Sequence, residues 1–276
     1  MIQWYPGHMV KAKKEIEEKL RLVDIVYELL DARIPESSRN PMINEVLKNK
    51  PRLILLTKSD MADSYYTNKW QKHFASQGIT SLTIDSISGF NIKKIVGLSQ
   101  EVLQEKFAKE KERGLKPRPI RGMIVGIPNV GKSTLINRLV NKKVTNVGNK
   151  PGITKAQQWV RLNKDLELLD TPGVLWPKFE DPKVGFHLAI TGAIRDEILR
   201  SADLGYYLLD FLKENYAQRL LERYNLGELS PNIDLIKNIA KTRGISDKED
   251  IEDKVSDVLI NDFRGLRLGR ITLDII

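Results

Sequence analysis

Gly126-Ile-Pro-Asn-Val-Gly131-Lys132-Ser133 has the spacing of a phosphate-binding loop, with an apolar strand-like run before it and a helix-like run after it. Glycines let backbone N–H groups curl around phosphate oxygens, and the start of the following helix adds positive potential. In such a loop Asn129, Val130 and Gly131 line the phosphates, and Lys132 reaches the β- and γ-phosphates. Ser133 holds Mg2+ and Thr134 contacts the α-phosphate. Asp170-Thr-Pro-Gly173 follows downstream, at the end of another apolar run. An Asp there binds Mg2+ through water, and the Gly173 N–H faces the γ-phosphate. Between the two lies Lys150-Pro-Gly-Ile-Thr154, in which Thr154 is placed to close on Mg2+ and the γ-phosphate. The phosphate loop is specific by itself. The other two are common turn sequences that gain meaning from standing beside it.

A second set of residues reads a base. Thr57-Lys58-Ser59-Asp60 follows the apolar run Leu53–Leu56. A carboxylate at Asp60 can accept from guanine N1–H and the 2-amino group together, while the stem of Lys58 stacks on the ring. Adenine lacks that donor pair, and a site built on such bonds discriminates by about 10⁴ or more. Asp85-Ser86-Ile87-Ser88-Gly89 follows the next strand-like run and can bring a backbone N–H to the guanine oxygen. Thr57 stands where Asn is usual. An Asn would also tie this loop to the phosphate loop, so the change predicts weaker base affinity.

The elements that must position these residues alternate between strand and helix through the first two thirds of the chain, which predicts an α/β domain with a mainly parallel sheet. Met9–Leu22 reads as a charged helix, Val23–Leu30 as a buried strand ending at Asp31-Ala-Arg33, and Asn40-Pro41 as a helix start. Strands follow at Leu53–Leu56 and Ser81–Ile84, with a helix at Tyr65–Ser76 between them. Ile92, Ile95, Val96, Val102, Leu103 and Phe107 fit one helical face. Lys106–Arg121 holds seven basic and two acidic residues, with Gly114, Pro117 and Pro119 as breakers, and reads as a basic linker. Beyond it come a strand at Met123–Val125, a helix at Ser133–Val140, and short strands near Gln158–Leu162 and Leu166–Leu169. After about residue 178 the pattern is helical, with starts at Ser230-Pro231 and Ser246 and stops at Gly244 and Gly265. The alternation of Ile271, Leu273 and Ile275 predicts a final short strand.

The base readers precede the phosphate loop, whereas in ordinary GTPases the phosphate loop comes first. A circular permutation explains the order, since domains tolerate new ends when their termini are close. The segment after Asp170-Thr-Pro-Gly173 then runs straight into the helical region. The expected division is a circularly permuted Ras-like P-loop GTPase domain at 1–177, containing the basic linker near 106–121, and a smaller, mainly helical domain at 178–276.

Composition sets limits. The 276 residues are 41% hydrophobic and 29% charged, as in ordinary globular proteins. The absence of cysteine excludes disulfides, thiolate catalysis and thiolate zinc sites. His8, His73 and His187 are too scattered for a His-rich metal site. No run approaches the roughly 20 apolar residues that span a bilayer. The N-terminus lacks the apolar stretch of a secretory signal, so no membrane role and a cytoplasmic location are expected. The net charge is +9; residues 31–175 carry 25 basic and 13 acidic residues, against 11 and 14 in residues 201–276. The basic excess fits nucleic acid or a solvated Lys/Glu-rich surface equally well. In the acidic last third, Arg264, Arg267 and Arg270 are the candidate RNA contacts, or else a solvated edge.

The sequence resembles the circularly permuted GTPases of the ribosome biogenesis GTPase A family over essentially its whole length. The residues that carry this are Trp4-Tyr-Pro-Gly-His-Met9, Asp31-Ala-Arg-Ile-Pro35, Thr57–Asp60, Gly126–Ser133, Pro151-Gly-Ile-Thr154 and Asp170–Gly173. The resemblance implies late assembly of the large ribosomal subunit, with GTP hydrolysis as a checkpoint or release step, and a C-terminal domain that contacts ribosomal RNA. It implies GTP and GDP, the large-subunit precursor and its rRNA as partners; a monomer is expected. Val174 stands where Ras-like enzymes place a water-orienting Gln. Lys132 and Thr154 are the expected catalytic groups, with His8 of the Pro-Gly-His motif as a candidate to orient water or to contact RNA. Asn129 resembles the Asn that holds K+ in potassium-dependent GTPases, or closes its loop by hydrogen bonds. Other readings are a nucleotide-gated binding module with negligible turnover, a small-subunit factor (whose relatives carry cysteine-rich zinc modules), and a small-molecule kinase, for which no acceptor site is evident.

Overall fold

A computed structural model describes residues 14, 16–47, 49–140, 158–161, 164–170, 179, 181–195, 198–246 and 250–276. His8, Thr154, Gly173, Val174 and the stretch 150–153 lie outside these. Six strands form one sheet: β1 (Ile25–Asp31), β2 (Arg52–Thr57), β3 (Thr80–Thr83), β4 (Ile120–Gly126), β5 (Gln158–Arg161) and β6 (Leu166–Asp170). Their spatial order is β3-β2-β1-β4-β6-β5, parallel except for the antiparallel β5–β6 pair. All seven residues of β1 are buried, as a central parallel strand covered on both faces requires. The phosphate-loop strand β4 is fourth in the chain but pairs with β1 and β6 in the middle of the sheet. This is the sheet of a P-loop GTPase with its chain order rotated.

Helices α1 (Pro41–Leu47), α2 (Ser64–Ser76), α3 (Lys94–Val102), α4 (Gln104–Glu112) and α5 (Lys132–Val140) belong to this part. Asn40 accepts from the Met42 N–H (3.0 Å) ahead of Pro41, so the expected cap and first-turn proline are both present. Asp63 caps α2 through the Tyr65 N–H. Helices α6 (Pro182–Ile190), α7 (Ser201–Asn215), α8 (Ala217–Tyr224), α9 (Asn232–Arg243) and α10 (Ile251–Arg264) follow. Helix α7 lies so close to α10 that a Cβ on Gly205 would come 1.9 Å from Ser256 Oγ and 2.9 Å from its Cα. One continuous apolar core runs from Ile25, Leu55 and Ile124 through Ile34 and Ile127 to Leu188, Leu208 and Phe263. Among the described residues no helix is long and apolar enough to cross a membrane.

Several expectations need correction. The Ile92–Phe107 stripe is divided between α3 and α4, because the chain breaks helical geometry at Leu103 to bury that side chain at 1% exposure, while α4 buries none of its own. The basic linker is half helix, and two of its cations are committed: Lys106 and Arg118 both pair with the buried carboxylate of Asp24. The N-terminal helix is seen over 16–20, and Leu22 is already in a turn. The last helix starts at Ile251, not at Ser246. The chain end forms no strand. Its backbone groups are taken by loops and side chains: the Leu273 N–H reaches the Arg33 carbonyl (2.7 Å) and Trp70 Nε1–H the Asp274 carbonyl (2.8 Å).

Candidate functional site

The phosphate loop leaves the C-terminal end of β4 and enters α5 at Lys132. Gly126 sits where a Cβ would come 2.8 Å from the Leu29 carbonyl oxygen, so the loop needs glycine to pass β1. Asn129 (φ 56°) and Gly131 (φ 104°) take left-handed backbone, which turns successive N–H groups inward. Val130 is buried beneath the loop, and Ser133 and Thr134 lie in the first turn of α5. Lys132 is 7% exposed; its Nζ donates to the carbonyls of Ile127 (2.8 Å) and Gly126 (3.2 Å). These bonds hold the ammonium across the mouth of its own loop.

The Thr57 segment leaves β2, two strands from β4, and is joined to the phosphate loop. Thr57 Oγ1 donates to the Val130 carbonyl (2.7 Å), with the Leu30 carbonyl 3.1 Å away. A hydroxyl therefore ties the two loops, as the usual Asn would. Lys58 also has left-handed backbone (φ 55°), and its Nζ lies 3.0 Å from Asp31 Oδ2. Arg33 grips the same carboxylate through Nε (2.9 Å) and Nη2 (2.7 Å). Burial pushes the Asp31 pKa up, but the two cations outweigh it and hold the group well below the usual carboxylate range. Burial lowers the Lys58 pKa against the pull of Asp31.

Asp60 is half-buried, and its carboxyl is raised by desolvation and by the neighbouring charge of Asp85. Asp85 caps the next turn, accepting from the Ile87 (2.8 Å) and Ser88 (2.9 Å) N–H groups. Burial raises its pKa, but these bonds, with the Ser88 side chain, bring it below normal. The Ser59 N–H reaches the Ile84 carbonyl (3.4 Å), which brings the two base-side loops together beside Ser86. Arg138 of α5 donates to the Ser88 carbonyl (2.9 Å), so the phosphate-loop helix also supports this turn. Asp170 ends β6, next to β4.

Three supports escaped sequence reading. Asp31-Ala-Arg33 marked a strand end, with nothing to show that its charges hold Lys58. Arg138 is an ordinary helix residue by spacing. Asn129 donates its amide to the Gly192 carbonyl (2.8 Å), just beyond α6, which joins the phosphate loop to the helical region. Arg33 Nη2 approaches the Thr191 carbonyl (3.3 Å), and Arg264 donates to the carbonyls of Ala189 (2.7 Å) and Ile190 (2.9 Å). Arg264 was expected to face RNA; it serves instead to close the end of α6, whose last carbonyls need donors.

Residues 121–241 match a family model described as "50S ribosome-binding GTPase". A Ribosome biogenesis GTPase A from Bacillus licheniformis is 54% identical over 99% of this chain and 98% of its own length. The chain belongs to the ribosome biogenesis GTPase A family. The counterpart from Bacillus pumilus is 52% identical over 99% of this chain and 98% of its own. A solved structure of GNP-bound YlqF from T. maritima has a TM-score of 0.65 at 27% identity, covering 96% of this chain and 97% of its own. As a ribosome biogenesis GTPase, the chain binds guanine nucleotide and hydrolyses GTP in ribosome assembly. GTPases of this kind use Mg2+. That hard cation takes oxygen donors, and Ser133 carries a hydroxyl at the head of α5.

Proposed function

We propose that the chain is an assembly factor of the large ribosomal subunit that binds the precursor particle and its rRNA in the GTP state and leaves after hydrolysis. The observation that carries this reading is the Asn129–Gly192 hydrogen bond, which joins the loop that holds phosphates to the region after residue 178. In this reading residues 1–177 form the nucleotide domain and 178–276 the RNA-contacting one. The protein acts as a cytoplasmic monomer.

Each residue takes a stated part. Asp60 accepts from the guanine N1–H and amino group, Lys58 covers the ring, and the Asp85–Ser86 turn meets the guanine oxygen. Thr57 and Ser59 hold this wall, with Thr57 anchored on Val130. Backbone N–H groups from Asn129 to Thr134 receive the phosphates. Lys132 exchanges its two carbonyl partners for the β- and γ-phosphates, where its charge stabilises the transition state. Ser133, Thr154 and Asp170 hold Mg2+, and the Gly173 N–H meets the γ-phosphate. When bound there, Mg2+ would supply charge neutralisation for the transferring phosphoryl group. In place of the missing Gln, His8 orients the water. The amide oxygen of Asn129 is a suitable donor for K+, which would supply positive charge beside the phosphates. The test is phosphate release in K+ and in Na+, with and without large-subunit particles, for wild type and Lys132→Ala. Wild-type turnover should rise with the particle and fall in Na+, and Lys132→Ala should be inactive in every condition. Turnover by Lys132→Ala near the wild-type rate contradicts the assignment.

A further inference from the structure

The C-terminal third is acidic by count, so bulk charge cannot draw it to a polyanion. Its arginines are nevertheless gathered on one surface. Asp262 of α10, 3% exposed, accepts from Arg223 Nε (2.7 Å) and Tyr224 Oη–H (3.0 Å), and Arg267 donates to its other oxygen. Arg243, from the end of α9, brings Nη2 to 3.5 Å of the same carboxylate. Three guanidinium groups thus surround one carboxylate, an excess of positive charge among the described residues. Arg243 and Arg267 are exposed, so solvent screens much of the repulsion among the three cations and their outer faces stay open to a further anion. Arg223 and Arg243 also lie over the Tyr224 ring, at 5.9 and 5.1 Å from its centre, which fixes their planes.

The surface continues past this cluster. Arg219 is one helical turn before Arg223, and it donates to the carbonyl of Arg270 in the turn that carries Arg267. Its guanidinium lies 4.7 Å from the centre of the Tyr216 ring, with Asp63 Oδ2 3.8 Å from Nη2. Glu222, on the adjoining helix face, is held by Gln218. Arg267, with half its side-chain surface in solvent, and the exposed Arg270 carry the surface toward Asp60, whose carboxyl feels the Arg270 charge.

We propose that Arg219, Arg223, Arg243, Arg267 and Arg270 form a preorganised docking surface for the phosphate backbone of folded RNA. Planar guanidinium forks match phosphate oxygens in pairs, and forks already held by Asp262 and two tyrosine rings lose little freedom on binding. Asp262 is a positioning residue: it lacks any reach to the RNA and sets the spacing of three forks. This inference rests on the reading of the chain as an rRNA-binding factor, and it names the surface by which the helical region binds.

The experiment measures affinity against KCl concentration for two probes, purified large subunits and the protein-free rRNA extracted from them. It compares wild type with Arg223→Gln/Arg243→Gln and with Arg223→Lys/Arg243→Lys. GTP binding and basal hydrolysis should be unchanged in both variants, which also reports an intact fold. The Gln pair should bind both probes about tenfold more weakly, and its log–log salt slope should be shallower by about 1.4–1.8, two contacts at about 0.7–0.9 each. The Lys pair should keep the wild-type slope. If the Gln pair does not fold, the exposed Arg267→Gln should lower the slope by about 0.7–0.9. An unchanged slope and affinity on both probes overturns the proposal. Weaker binding to subunits with unchanged binding to rRNA also overturns it and points to an acidic protein face. Failure of wild type to bind subunits at all contradicts the assembly-factor reading instead, and the rRNA arm alone then decides the arginine surface.

Discussion

In its proposed role Asp60 meets two guanine donors, N1–H and the 2-amino group, which a carboxylate accepts together. Its raised pKa gives that recognition a pH dependence of known sign. The charged form binds, so affinity for GDP should fall as pH drops through a pKa above that of an ordinary Asp, near 3.9. Asp85, depressed against its burial by the Ser88 side chain and by its backbone bonds, stays charged in that window. Titrating a fluorescent GDP analogue from neutral to mildly acidic pH should show the loss. An affinity that is flat until the protein unfolds would place the base elsewhere. Thr57 is a second residue whose part can be isolated. Thr57→Val keeps the shape and removes the donor to Val130, so one carbonyl in the phosphate loop loses its partner. A hydrogen bond of this kind contributes about 0.5–1.5 kcal/mol. GDP should dissociate from Thr57→Val several-fold faster, and an unchanged off-rate in stopped flow would show that the tie is irrelevant to binding.

At the scale of elements, much was legible and the reasons are physical. Strands such as Leu53–Leu56 announced themselves because a parallel strand covered on both faces must be apolar throughout. The phosphate loop was legible because glycine spacing, strand and helix all agree there. The rest was hidden for identifiable reasons. A single helical stripe at Ile92–Phe107 cannot reveal a break at Leu103, since both halves keep the same face. The alternation at Ile271–Ile275 looks like a strand, yet Ile271, Thr272, Leu273 and Asp274 are all buried in an irregular tail, the polar two through hydrogen bonds to the Asp63 and Ser37 N–H groups. Asp31, Arg138 and Arg264 act across long sequence separations, which no local pattern records. Helix pairing was equally hidden. Gly205 looks like a weak spot in α7, but it is the point where α10 approaches. Gly205→Ala would force its methyl into Ser256 and should destabilise by about 1–3 kcal/mol despite alanine's better helix propensity. Urea unfolding should show a lower midpoint, and a stabilised variant would mean that the helices are not in close contact.

The whole molecule is built around contacts between its nucleotide loops and its helical region. The Asn129–Gly192 bond, the Arg33–Thr191 approach and the Arg264 bonds to the end of α6 converge on one short segment, residues 189–192. A buried polar knot lies behind it: His187 Nδ1 sits 2.7 Å from Asp274 Oδ1 and 2.9 Å from Ser37 Oγ, while Nε2 faces the Tyr207 hydroxyl (2.8 Å). Tyr207 is pushed up to about 12 by burial and by Asp274, so it remains a neutral donor at any working pH. The permuted order adds to this, since α6 is the next described element after β6 in the chain. In the proposed function, these contacts are the route by which rearrangement of the phosphate loop on nucleotide exchange reaches the helical region. The most direct test is the affinity for large-subunit precursor particles, measured with a non-hydrolysable GTP analogue and with GDP at one fixed salt concentration. A switch held by a few hydrogen bonds should shift affinity by about 1–3 kcal/mol, some 5- to 150-fold in favour of the GTP analogue. Equal affinity in the two nucleotide states, or equal affinity for small-subunit particles, would contradict the account.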